Sequence, residues 1–495
     1  MSRLSDAAVD AIARRVLERI GAGATSAGAA TRPAAPAPAL APAQTEAVRR
    51  AGRLPPGVFA SVDECAAAAA AAFKRFRALS LEQRKKIVAA VRQKMLEHCE
   101  ELSREAVAET GLGRYEDKLV KNRLVTVKTP GPEALEPVAW TGDDGLTLVE
   151  RAPFGVIAAI TPVTNPTSTV ICNGIGMLSA GNTVVFNVHP NARRVCCRTV
   201  GLINETIVQA GGPPDVLTAV AEPTIESAQQ LWSHPVPRLV VVTGGPAVVK
   251  AAMQSGKRAI CAGPGNPPVV VDETADLERA GRYIVYGASF DNNIICVDEK
   301  EVFVVDTVAD KLLRTMEQHG AVVLTAPQAR AVEKVIFTEL RGPREEGKIN
   351  LKMVGKNAGV ILAEIGLRVP DSVRLAVMVV DADHPLVWSE QLMPVLPVVR
   401  VRSADEGIDL SVKCEHGYRH TAGMHSMHLG NLSRMAREMD CSIFVKNAPF
   451  VAGLGANGEG FTSFSIASPT GEGLTGPVQF SRVRRCVLKD HFRIV

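Results

Sequence analysis

Apolar positions recur every three to four residues at the start of the chain. At 100° per residue, Val9, Ile12, Val16 and Ile20 form one stripe, with Arg3, Asp10, Arg14 and Glu18 opposite, so the pattern predicts a single amphipathic helix over residues 1–20. Residues 21–45 lose all periodicity. They are almost wholly Ala, Gly, Pro, Ser and Thr, with prolines at 33, 36, 38 and 42, and read as a disordered linker with too little apolar surface to fold. A helix of about five turns is marginal alone in water, so its stripe calls for a partner groove, a second copy, or docking back onto the domain.

From residue 46 the pattern alternates. Val62 to Phe76 and Leu81 to Glu109 read as helices, the second capped by Ser80. Val156 to Ile160, Thr183 to Phe186, Val216 to Val220, Leu239 to Val242 and Pro268 to Val271 read as short buried strands, with helical stretches such as Arg193 to Gln209 and Thr224 to Leu231 between them. A second series follows, with strands near Glu301 to Val305, Ala321 to Leu324, Leu375 to Val380 and Val395 to Val401. This alternation predicts α/β architecture with a parallel, doubly wound sheet and a second α/β domain.

Composition narrows the class. Hydrophobic residues make up 46% and charged residues 22% of 495, as in an ordinary globular enzyme. The net charge of +4 is spread along the chain, and four tyrosines and three tryptophans are scattered, which argues against nucleic-acid binding. The longest apolar runs are strand-sized, far short of the roughly 18 residues of a membrane span. Ten cysteines are dispersed with no C-x-x-C pair, which suits free thiols in the cytoplasm.

Three segments carry candidate chemistry. Thr243-Gly244-Gly245-Pro246 follows an apolar strand and precedes a helix, so small residues there would let a phosphate or nucleotide approach. A plain tight turn explains the same residues. Asn292-Asn293-Ile294-Ile295-Cys296 ends a loop, with Asp298, Glu299 and Lys300 behind it, a setting that suits an accessible thiol. Cys414, His416, His420, His425 and His428 have the residue types of a metal site.

Order along the chain decides among these readings. Ala152 to Ile160, then Thr161-Pro162-Val163-Thr164-Asn165-Pro166, Ala180 to Phe186, Thr243-Gly244-Gly245, Gly263 to Pro268, Cys296, and Trp388-Ser389-Glu390-Gln391-Leu392-Met393-Pro394 succeed one another as in the aldehyde dehydrogenase superfamily, which residues 60–450 resemble. The resemblance implies a Rossmann-type cofactor domain over 46–262 with an oligomerisation hairpin at about 140–152. It further implies a catalytic domain over 263–450 carrying the cysteine, and a 451–495 segment of closing strands and oligomer contacts. Cys296 matches the nucleophile and Asn165 the amide that holds the aldehyde oxygen. Glu390 matches the carboxylate on the nicotinamide ribose, and Thr161, Pro162, His189, Pro190, Thr243, Gly244, Gly245 and Pro394 match cofactor positions.

Two departures point to the acyl acceptor. Where hydrolytic members carry a glutamate to activate water, Cys261-Ala262-Gly263-Pro264-Gly265-Asn266 has no carboxylate. A thioester without a positioned base is a poor target for water, whereas a thiol exchanges readily. Where many NAD-linked members have Lys-Pro-x-Glu, Asn187-Val188-His189-Pro190 stands here, which leaves NAD against NADP open. These features, with Gly263 to Asp272 and Glu415 to Ser426, resemble the CoA-acylating propionaldehyde and acetaldehyde dehydrogenases of bacterial microcompartments, the propanediol-utilisation type above all. That resemblance implies NAD and coenzyme A as co-substrates, a homo-oligomer (dimer or tetramer), no metal, and a short N-terminal helix addressed to a microcompartment shell or core protein. His416 or His420 would help deprotonate CoA. The alternatives are an acetaldehyde enzyme, a hydrolytic aldehyde dehydrogenase, a semialdehyde dehydrogenase acting on an acyl phosphate with NADPH, and a catalytically idle compartment adaptor.

Overall fold

Parallel strands need a crossover between neighbours, and the apolar runs of this chain are separated by helices long enough to supply it. The computed structural model describes residues 54–495; the helix expected over 1–20, the linker over 21–45 and the first residues of the domain drawn from 46 lie outside the described residues. Two large parallel sheets result. The first runs, edge to edge, through Val58–Phe59, Leu217–Val220, Thr183–Asn187, Val156–Ile160, Leu239–Thr243 and Arg258–Ala262. After the edge strand Val58–Phe59, the chain starts again at Val156–Ile160, builds outward to one side, then returns to build the other. That reversal makes a topological switch point, where the carboxyl ends of adjacent strands open a crevice.

The second sheet takes the order Ala321–Val323, Leu375–Val379, Val395–Val401, Glu301–Val305, Pro268–Val271, Thr421–His425 and Ile443–Lys446. Its interior strand Pro268–Val271 is buried on both faces, as expected of β-branched runs in a parallel sheet. A separate antiparallel sheet is formed by Val138–Gly142, Gly145–Pro153 and Ser481–Lys489, the last pairing from Ser481 with Pro153 to Lys489 with Gly145. No helix among the described residues is long and apolar enough to cross a membrane.

Two helices escape the periodic reading, and both matter to the site. Pro166–Ser179 is buried at all 14 positions, so no polar face marks its period. Tyr115–Lys128 is inverted: Asp117, Lys118, Lys121, Asn122, Val125 and Thr126 face inward, while Val120 and Val127 are 40% and 61% exposed. Its inward polar face is satisfied by partners distant in sequence.

Candidate active site

A cavity of about 570 Å³ lies at the switch point. Its walls come from the ends of four strands of the first sheet (Ile160 to Asn165, Asn187 to Asn191, Thr224, Thr243 to Gly245), from Gly263 and Pro264, and from Ile294, Ile295 and Cys296. Thus Thr161, Pro162, Asn165, His189, Pro190, Thr243, Gly244, Gly245, Cys296 and Glu390 meet in one space. Pro394 does not. It is buried ahead of Val395–Val401, and its carbonyl accepts the Ala376 N–H at 3.0 Å, so it belongs to the sheet ladder. The segment from 451 onward also does more than close strands, since Leu454, Ser463, Phe464 and Ile466 line the cavity.

Asn165 stands immediately before the Pro166–Ser179 helix, with Pro166 at the first helical position. Its side chain makes no cap bond to that helix. Instead its Oδ1 accepts from Lys121 Nζ at 2.6 Å, and its Nδ2 donates to Thr164 Oγ1 at 3.2 Å. The second Nδ2 hydrogen is left for the cavity, beside a helix N-terminus whose dipole favours negative charge.

Cys296 lies at the end of a loop that begins with three successive left-handed residues, Asp291 (φ 45°), Asn292 (φ 57°) and Asn293 (φ 65°). Asx residues tolerate that region better than most, and here their side chains are all held by hydrogen bonds. Asn292 Nδ2 donates to the Gly355 carbonyl and to Asn357 Oδ1, both at 2.8 Å, and Asn293 Nδ2 donates to the Ala288 and Glu299 carbonyls at 2.9 Å. Beneath the loop, Lys300 Nζ donates to Asn293 Oδ1 at 2.6 Å and to the carbonyls of Asn293 and Ile295 at 2.8 and 3.2 Å. Asp298 Oδ2 accepts the Ile295 N–H at 3.0 Å. The charged run behind Cys296 is therefore no surface feature: residues 298–301 are wholly buried, and they hold the loop in shape.

Of the ten cysteines, Cys296 alone lines the cavity, where it is partly exposed. Burial, reinforced by the Glu390 charge, pushes its thiol up to about 12 against the opposing pull of Lys300. Glu390 accepts the Gly265 N–H at 3.3 Å, and burial raises its own carboxyl. It is the one carboxylate among the described residues that line the cavity.

Neither His416 nor His420 lines this cavity. His416 Nε2 is 2.9 Å from the Trp388 carbonyl, to which it donates, and its ring packs edge-on to Trp388. His420 is buried against Gly265 on the side where that residue also meets the Cys296 carbonyl; a Cβ on Gly265 would sit 2.7 Å from that oxygen and 3.0 Å from the His420 ring. Burial and the Lys300 charge lower His420 to about 3, so its ring is neutral, with Nδ1 bonded to Thr421 Oγ1 at 2.9 Å and Nε2 without a protein partner. Among the described residues no cluster of His, Cys, Asp or Glu is arranged to hold a metal ion.

Other residues lining the cavity are of the types a dinucleotide requires. Thr161 Oγ1 lacks a protein partner, and Gly245, with nothing within 4 Å of where a Cβ would stand, precedes the Pro246–Met253 helix. His189 Nδ1 accepts the Asn191 N–H at 3.2 Å, which leaves Nε2–H as a donor. Small residues, helix N-termini and free donors are what phosphates and riboses require. Lys118 and Lys121, which sequence reading missed, carry only one signal, their spacing with Asn122 on a helix, an arrangement equally common on a solvated face; Lys300 was read only as part of the charged run behind Cys296.

Comparison with known proteins gives a consistent result. The model of the aldehyde dehydrogenase family matches residues 30–461. The acetaldehyde dehydrogenase (acetylating) EutE of Salmonella typhimurium is 52% identical over 440 residues, 89% of this chain and 94% of that one. The propionaldehyde dehydrogenase of Rhodopseudomonas palustris, solved with bound CoA and an acylated cysteine, superposes with a TM-score of 0.85 at 47% identity, covering 88% of this chain and 98% of that one. A propionaldehyde dehydrogenase from the fucose-utilisation bacterial microcompartment of Clostridium phytofermentans gives 0.86 at 45% identity, covering 89% and 100%.

Proposed function

Because the chain belongs to the aldehyde dehydrogenase family, we propose that the cavity oxidises a short aldehyde to its acyl-CoA with NAD, on Cys296. The observation that carries this reading is the meeting of a cavity thiol and a free amide donor in a space whose one carboxylate, Glu390, is tied to the Gly265 N–H.

The chemistry follows from the residues. The Cys296 thiolate adds to the carbonyl carbon; a C–S bond forms and the π electrons move to oxygen. Asn165 Nδ2–H and the helix N-terminus behind it stabilise that oxyanion. Bound nicotinamide supplies the two-electron acceptor that takes the hydride when the C=O re-forms. A thioester is left on Cys296, and a CoA thiolate displaces the cysteine, so aldehyde, CoA and NAD⁺ become acyl-CoA, NADH and a proton. We assign removal of the CoA proton to neither histidine: His420 has Nε2 unpartnered but is wholly buried outside the cavity and held at about 3, too weak a base for a thiol, and His416 spends its N–H on a main-chain carbonyl. Propionaldehyde is the proposed substrate. The 52% identity to an acetaldehyde enzyme favours acetaldehyde as the second reading. One methylene in an apolar pocket is worth about 1–3 kcal/mol, so both should turn over within roughly 10–200-fold of each other.

The test is NADH formation from propionaldehyde with and without CoA. Turnover that stops when CoA is withheld supports acyl transfer; free propionate formed at the same rate without CoA would mean that water is activated and the reading is wrong.

We further propose a homo-oligomer, dimer or tetramer, built on the three-stranded sheet, where Trp140, Val483 and Val487 are 54%, 58% and 60% exposed. Residues 1–20 are proposed to address the enzyme to a microcompartment, supported by a relative that comes from one. Deleting residues 1–20 should leave kcat unchanged and abolish co-localisation with shell protein; lost activity with retained localisation would reverse that assignment.

A further inference from the structure

We propose that Lys121 is a positioning residue that sets the Asn165 amide donor-outward, and that Asp291 ties this setting to the Cys296 loop, so one buried ion cluster aligns both sides of the oxyanion site. The inference rests on the roles proposed above for Cys296 and Asn165. It starts from a chemical asymmetry: a lysine ammonium has three donors and no acceptor. With Lys121 Nζ 2.6 Å from Asn165, the atom facing it must be the amide oxygen, and the NH₂ must face the other way. A flipped amide would oppose donor to donor and turn its carbonyl oxygen toward the developing oxyanion. An asparagine just ahead of a helix ordinarily turns back to cap it, but this one makes no cap bond. Lys121 holds it elsewhere.

Lys121 is in turn held by Asp291, whose Oδ2 also accepts from Lys118 Nζ at 3.0 Å. Lys118 Nζ reaches the Thr164 carbonyl at 3.3 Å, fixing the residue next to Asn165. Asp291 Oδ1 accepts the Arg114 N–H at 2.7 Å, and its own N–H donates at 2.9 Å to Asp117, which pairs with Arg374. Asp291 also opens the left-handed run that leads to Cys296. Lys118, Lys121 and Asp291 are all buried, so the network is rigid and little screened.

Two reactions of the intact chain separate positioning from mere support, and neither needs NAD or CoA. Acetylation of Cys296 by p-nitrophenyl acetate passes through an oxyanion and releases p-nitrophenolate; alkylation by iodoacetamide forms a C–S bond and expels iodide with no oxyanion. Lys121→Met should slow the p-nitrophenolate burst about 100-fold, the scale of a lost oxyanion donor, while alkylation stays within about twofold. In an Asn165→Ala background Lys121→Met should add nothing to the burst defect. Asp291→Asn, a neutral isostere, should show the same selectivity at about tenfold, and it decides the matter if Lys121→Met does not fold. Equal slowing of both reactions, no slowing of either, or full additivity with Asn165→Ala would overturn the proposal. Loss of CoA dependence in the unmodified chain, with the selective effect intact, would instead fell the acyl-acceptor reading and leave this role standing.

Discussion

Cys296→Ala should abolish CoA-dependent NADH formation, by on the order of 10⁴-fold or more, because no other cysteine lines the cavity and no carboxylate there is free to replace it. The fold should tolerate the change, since the loop is held by Asn292, Asn293, Lys300 and Asp298 rather than by the thiol. The pH dependence of the native thiol follows from its surroundings. Burial and Glu390 raise it to about 12, so below that value the thiolate fraction grows tenfold per pH unit. Iodoacetamide alkylation of the ligand-free chain should therefore climb with unit slope from pH 6 to 10. A plateau near pH 7 would show that the site lowers the thiol on its own. Residual CoA-dependent turnover in Cys296→Ala would remove the nucleophile assignment altogether.

What could be read in advance divides along physical lines. The inner strands were mostly legible because β-branched apolar runs bounded by turns leave little choice, and Val156–Ile160, Pro268–Val271 and Val395–Val401 start and end where the runs do; Val58–Phe59, Arg258–Ala262, Thr421–His425 and Ile443–Lys446, which are short or carry polar residues, escaped the reading. The order of motifs along the chain carried the family and the convergence of Thr161, Asn165, Thr243 and Cys296, because strand ends at a switch point are brought together by topology. The Tyr115–Lys128 helix was not legible. Val120 and Val127 point outward while Asp117, Lys118 and Lys121 point inward, against the amphipathic rule, and the distant Asp291 and Arg374 make that arrangement stable. The charges behind Cys296 misled for the same reason: residues 298–301 look like a surface run, but their partners lie within the loop, on Phe450, and on Cys414. Buried ionic clusters are written in pairs of segments, and a single pass along the chain sees one member at a time.

Asn165 is where the sequence motif and the unforeseen cluster meet, and its substitutions should order in a way that sequence alone would not suggest. Asn165→Ala removes the side-chain donor and should lower kcat by about 10²–10³-fold, with little change in the KM for CoA, since the amide is needed only while charge sits on the carbonyl oxygen. Asn165→Asp keeps an oxygen for Lys121 and so preserves the ion cluster, but it turns a carboxylate oxygen toward the same place. A negative charge beside a developing oxyanion in a water-poor cavity raises the barrier beyond mere loss of the donor. The aspartate variant should therefore be as stable as the unmodified chain and slower than the alanine variant, whereas the alanine variant, which leaves Lys121 short of an acceptor, should be the less stable of the two. Single-turnover NADH bursts and thermal melts of both proteins would check this. An aspartate variant faster than the alanine one would mean that the Asn165 side chain does not face the reacting oxygen, and that the helix N-terminus alone supports the charge.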